Sequence, residues 1–156
     1  MKTLGRTGKV VGYLATDWWL LLSALFLVSA VRLGFWIVSV RRVVRILCWL
    51  VPPKPGRATD PSFADRVATA VVQASRVVPG ATCLTRALAA QALLERQGVP
   101  TRLHIGIIRD GGQAIRGHAW VERQGVIVLG GPMSEHWSQL LAVERGGTRC
   151  SPIGPQ

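Results

Sequence analysis

Cys83 and His118 are the pair in this 156-residue chain whose types suit covalent chemistry. Cys83 follows Thr82 and opens the run CLTRALAAQALLERQG, which predicts a helix that begins at the cysteine and stops at Gly98. The free N–H groups of a helix N-terminus favour negative charge, and so favour a thiolate over a thiol. The same groups can face a carbonyl oxygen as its carbon becomes tetrahedral. A nucleophile of this kind needs a partner that moves protons near neutral pH, and His118, expected in mid-strand, brings an imidazole. Free cysteines are also among the most buried residues, so a Cys and a His 35 positions apart are equally compatible with plain packing.

The other reactive side chains fit bland roles better. His104 stands on the polar side of a predicted strand and reads as a surface residue, with no second ligand at metal spacing. His136 lies beside Trp137 in a post-strand segment, where loop or short-helix packing is the default. Cys48, in an apolar stretch next to Trp49, reads as buried, and Cys150, in a Gly-rich basic tail, as exposed and dispensable. The spacing of the three cysteines holds no CxxC pair, which argues against a disulfide scaffold or a cysteine-rich zinc site. Asp110-Gly111-Gly112 reads as a hairpin turn and not a phosphate loop, because no helix follows it.

The elements that must position the pair are legible from residue 60 onward. Asp60-Pro61-Ser62 supplies a helix start, with Ser62 and Asp65 spaced as a capping box. Phe63, Val67, Ala70, Val71, Ala74 and Val78 then recur at helical spacing, and Pro79-Gly80 ends that helix before the Cys83 run begins. From Thr101 the period changes from 3.6 to 2. RLHIGIIR predicts one strand, Ile115–Glu122 a second with His118, Trp120 and Glu122 on one face, and Val126–Leu129 a third after the turn at Gln124-Gly125. Helices followed by an antiparallel meander predict an α+β domain.

Composition places the chain among single globular domains: 49% of residues are apolar and the mean hydropathy is +0.30, which excludes wholesale disorder. Charge is concentrated at one end. Residues 1–57 hold nine basic residues against Asp17 alone, out of a net +11 for the chain. The same third contains Trp18–Val31, a 14-residue uncharged run, followed by Arg32, by Leu33–Val40 and by Arg41-Arg42. Runs of that length suit a core or interfacial helix, and a span from Trp18 to Val40 would put Arg32 in the bilayer at roughly 2.5–3.5 kcal/mol. That cost orders three placements: packed on the following domain or a partner, lying on a membrane, or spanning it. No small-residue cleavage site follows the apolar run, so it makes a poor signal peptide. Pro52-Pro53-Lys54-Pro55-Gly56 then breaks the chain. The expected organisation is 1–56 as an apolar and basic helical segment with a Pro-rich connector, 57–145 as the folded domain and 146–156 as a flexible tail.

Several of these elements agree, in order and spacing, with one family. Cys83-Leu84-x-Arg86-Ala87-Leu88-Ala89 with Leu93-Leu94-x-x-x-Gly98, then Ile105-Gly106-Ile107, then His118-Ala119-Trp120-Val121-Glu122 with Gly125, resembles the transglutaminase-like cysteine peptidases of lasso-peptide biosynthesis, the peptidase part of the B protein. The likeness covers about residues 60–135, and the Trp- and Arg-rich N-terminal helices are similar too. It implies a transglutaminase-like or papain-like core, no cofactor and no metal. It implies a leader peptidase in which Cys83 attacks the scissile carbonyl and His118 transfers the proton, with Trp120 and Arg86 against the substrate. The implied partners are a precursor peptide of leader and core, a separate leader-recognition protein and an asparagine-synthetase-like macrolactam synthetase. The implied location is cytoplasmic, with residues 18–50 as the segment that would touch a membrane.

One departure stands out. Such peptidases place an Asp about a dozen residues after the His to orient it, whereas this chain reads Val128-Leu129-Gly130-Gly131-Pro132 there. Glu135 is the nearest acidic substitute, and a backbone carbonyl is the alternative orienter. Competing functions are a non-catalytic scaffold of the same complex and an acyl transferase using the same Cys/His pair. Nucleic-acid binding is set aside, since the folded half shows no recognition motif and no interleaved basic and aromatic surface.

Overall fold

The structure, a computed structural model, describes residues 18–50, 61–110, 114–131, 138–146 and 149–153. Among the described residues four helices precede five strands: α1 Trp18–Ile37, α2 Val40–Leu50, α3 Pro61–Val77, α4 Cys83–Arg96, then β1 Arg102–Asp110, β2 Ala114–Arg123, β3 Val126–Leu129, β4 Ser138–Gly146 and β5 Arg149–Ile153. The strands form one antiparallel sheet in the order β3-β2-β1-β4-β5, and α4 lies against β1 and β2. The fold is α+β, as the change of period predicts.

α4 is the centre of the molecule. Every residue from Ala87 to Glu95 is buried, which an Ala-rich helix tolerates because small side chains let the sheet and α3 approach from different sides. Thr82 caps its start, accepting a hydrogen bond from the Thr85 N–H at 3.3 Å. Its end is a Schellman motif. Gly98 (φ 79°) donates to Glu95 O at 2.9 Å, and Val99 donates to Leu94 O at 3.0 Å, so a glycine is required at that left-handed position. α3 begins at Pro61, where the missing proline N–H costs nothing. Ser62 therefore lies inside the first turn.

α1 runs unbroken through Arg32. Ala24, Leu27, Val28 and Val31 on one side join the core cluster that also contains Val67, Leu88, Leu94, Leu103 and Val121, and the helix packs on both α3 and α4. It is also 20 residues long with a mean hydropathy of 2.1, apolar and long enough by those two measures to cross a membrane. α2 turns back beside it, with Val43 seated 3.2 Å from where a side chain on Gly34 would begin.

The sheet extends beyond the expected meander. β1 and β2 pair from Arg102↔Glu122 to Asp110↔Ala114, and the two-residue turn Gln124-Gly125, with φ of 49° and 82°, joins β2 to β3. After β3 the chain crosses to the other side of β1, where β4 pairs with a shift at Ile105/Gly106, and β5 closes the edge. Residues 149–153, expected in a flexible tail, are thus an edge strand. With β4 present, β1 is central and paired along both edges. His104, read as a surface residue, is only 8% exposed, with the Trp120 ring stacked on it. Residues 51–60, which hold the Pro-rich connector, lie outside the described residues.

Candidate active site

Cys83 is the first residue of α4, half-buried, with the Thr82 cap satisfying the Thr85 N–H. The N–H groups of Cys83 and Leu84 have no partner within the helix itself, as geometry dictates for a first turn. The thiol reaches across to the sheet: Cys83 S–H donates to Gly117 O at 3.9 Å. Gly117 is the residue before His118, so the sulfur is held against the strand that carries the imidazole.

His118 is half-buried on β2. Its Nε2 lies 2.6 Å from the carbonyl oxygen of Gly130. A carbonyl only accepts, so this contact places the proton on Nε2 and leaves the lone pair on Nδ1. Gly130 sits just after β3 with φ 122°. A β-carbon there would come within 2.4 Å of Trp120 Cβ, so only glycine allows the backbone this close. At the position about a dozen residues after His118, where the resembled peptidases carry an Asp and this chain a glycine, it is thus a backbone carbonyl, the alternative orienter, that meets the imidazole. Glu135, named as the acidic substitute, lies outside the described residues, as does His136.

Behind His118 the same face of the sheet is a column of rings. Trp120, 2% exposed, stacks on His118 at 6.3 Å between centroids and on His104 at 5.2 Å. His104 Nε2 in turn lies 3.2 Å from Glu122 Oε2. The column follows from antiparallel register, because His104↔Trp120 are cross-strand partners and His118, Trp120 and Glu122 alternate along β2. Trp120 is therefore a buttress for the imidazole and does not line the cavity.

That cavity, of about 660 Å³, is walled by Thr69 and Val72 of α3, Cys83 and Arg86 of α4, His118 of β2 and residues 127–131. Sequence reading named three of those side chains: Cys83, His118 and Arg86. Arg86 stands one turn beyond Cys83, and its Nε is buried with no hydrogen-bond partner among the described residues. The α3 residues Thr69 and Val72 were not singled out from sequence, and nothing in a solvent-side helical position marks them as site residues. Among the described residues no three His, Cys, Asp or Glu side chains converge as metal ligands would.

A thiol at a helix start and an imidazole held by a carbonyl, both lining one cavity, suit acyl transfer through a thioester. Compared with known families, residues 25–142 match the model described as Transglutaminase-like superfamily. No match is found among curated proteins or among solved structures.

Proposed function

The chain belongs to the transglutaminase-like superfamily, which includes cysteine peptidases and acyltransferases, and from that premise we propose that it is a cysteine peptidase that removes the leader from a ribosomally made lasso-peptide precursor. The observation that carries the catalytic part is the Gly130 carbonyl on His118 Nε2, which supplies the orienter that the sequence lacks in side-chain form. It supports chemistry over a scaffold role, which the missing Asp favours. The leader-peptidase part rests on the motif resemblance around Cys83 and His118.

In this mechanism the precursor backbone enters the cavity with its scissile carbonyl above Sγ. Nδ1 of His118 takes the thiol proton as Sγ bonds to the carbonyl carbon, and the oxyanion turns toward the Cys83 and Leu84 N–H groups. The C–N bond then breaks, and the imidazolium returns the proton to the departing amine, which is the new N-terminus of the core. A water molecule, deprotonated by His118, attacks the thioester carbon; the C–S bond breaks, the leader leaves as a carboxylic acid and the imidazolium returns its proton to Sγ. The freed amine is the nucleophile that an asparagine-synthetase-like partner needs to close a macrolactam, and a separate recognition protein delivers the leader.

The test is incubation of the protein with a leader–core precursor and a leader-recognition protein, followed by mass spectrometry. Wild type is expected to give leader acid and core amine, and Cys83→Ala to lower the rate by roughly 10³-fold or more. Equal cleavage by both proteins, or by neither, overturns the peptidase reading. A leader joined to an added amine instead of water assigns the same two residues to acyl transfer.

A further inference from the structure

We propose that the outer face of α1, with the cationic face of α2, seats the protein on an anionic lipid surface, α1 lying in the plane of the interface. α1 carries two apolar faces. Leu27, Val28 and Val31 point into the core, Val28 with 0% exposure. At 100° per residue, Trp18, Trp19, Leu22, Phe26, Leu33 and Trp36 fall within about 100° of arc on the other side. All six are exposed, Phe26 by 72% and Trp36 by 79%. A contiguous apolar face of this size on a packed helix marks an interaction surface.

Charge selects the occupant. No Asp or Glu occurs between residues 18 and 59. α2 exposes Arg41, Arg42 and Arg45, together with Trp49 at 80%, on the side opposite its buried Val43 and Leu47. Arginines beside tryptophans at helix ends match the chemistry of a lipid headgroup layer, where phosphates meet acyl chains. A second copy of the chain would instead bring two arginine clusters together with no carboxylate to offset them.

The same structure argues against a span. Arg32, the single charged residue of α1, donates from Nε to Pro79 O at 3.4 Å and lies 5.7 Å from the centre of the Trp36 ring. It packs on Gly80, where any side chain would meet the guanidinium at 2.7 Å. Entry of α1 into a bilayer would break that anchor and strip Leu27, Val28 and Val31 from the core. Lying flat keeps both.

Flotation of the full-length chain with vesicles tests this directly. In 0.1 M salt the protein is expected to rise with phosphatidylcholine/phosphatidylglycerol (3:1) vesicles and weakly with phosphatidylcholine alone. Arg41→Gln/Arg42→Gln/Arg45→Gln should partition into the anionic vesicles roughly a hundredfold less, the loss expected for three basic residues near a charged surface. Phe26→Ser/Trp36→Ser should lose both associations while keeping its urea midpoint. Quenching of wild-type tryptophan by lipids brominated near the headgroup, stronger than by lipids brominated at the chain end, reads the same depth without a variant. Wild type that stays at the bottom of the gradient overturns the proposal. So does resistance to alkaline carbonate, or sizing that shows a dimer or a protein complex dissolved by Phe26→Ser/Trp36→Ser with flotation unchanged.

Discussion

Gly130 acts through an atom that every residue possesses, so its contribution depends on backbone shape. Gly130→Ala must relieve both the left-handed φ of 122° and a 2.4 Å approach to Trp120 Cβ, which moves the carbonyl away from His118. We expect kcat to fall by about 10–100-fold with KM little changed, since the imidazole loses its tautomer and orientation while the cavity walls stay. Gly131→Ala is the matched control. Its φ is 78°, but a β-carbon there meets nothing within 4 Å, so it should cost about 1 kcal/mol of stability and spare kcat. Steady-state kinetics beside urea denaturation separates the two. Equal kcat in both variants would remove Gly130 O from the mechanism. At this scale Cys83 and His118 are legible in the sequence from residue type and motif, and the missing Asp points to a carbonyl as one alternative, but which carbonyl leaves no trace there, because carbonyls are the same at every position.

At the scale of elements, the two ends of α4 do different jobs. Thr82 fixes where the helix starts, and hence where the sulfur stands, while the Gly98 motif only closes the far end 15 residues later. Thr82→Ala and Gly98→Ala should each destabilise by about 1 kcal/mol, the first through a lost cap and the second through a forced positive φ. Only Thr82→Ala should also lower kcat, because fraying at the first turn frees Cys83. A fluorescence-monitored urea titration with parallel turnover assays checks the split. Both signals, the polar cap and the C′ glycine, are local in sequence and were readable there. β4 was not. SQLLAVERG is rich in helix formers, and it takes a strand because the open edge of β1 supplies hydrogen bonds that outweigh propensity. The burial of His104 is equally non-local, since it depends on Trp120 standing opposite it on β2.

For the whole molecule, α1 belongs to the core through one face and to the surface through the other. Val28→Ala should cost about 2 kcal/mol, the transfer and cavity terms of a fully buried valine, whereas Phe26→Ser, two residues away and 72% exposed, should change the unfolding free energy from urea titration by at most about 0.5 kcal/mol. Similar losses at both positions would mean that α1 is not packed as described. The sequence by itself determined the elements whose signal is local: the period change at Thr101, the limits of α4, the turn at Gln124-Gly125 and the places of Cys83 at a helix start and His118 on a strand. The tertiary structure alone decided which side of α1 is covered, where β4 adds to the sheet, how His104 and Trp120 stack, and which oxygen holds His118. Those outcomes depend on contacts between residues far apart in the chain, and periodicity, which reports only how a segment alternates, carries no record of what lies across from it.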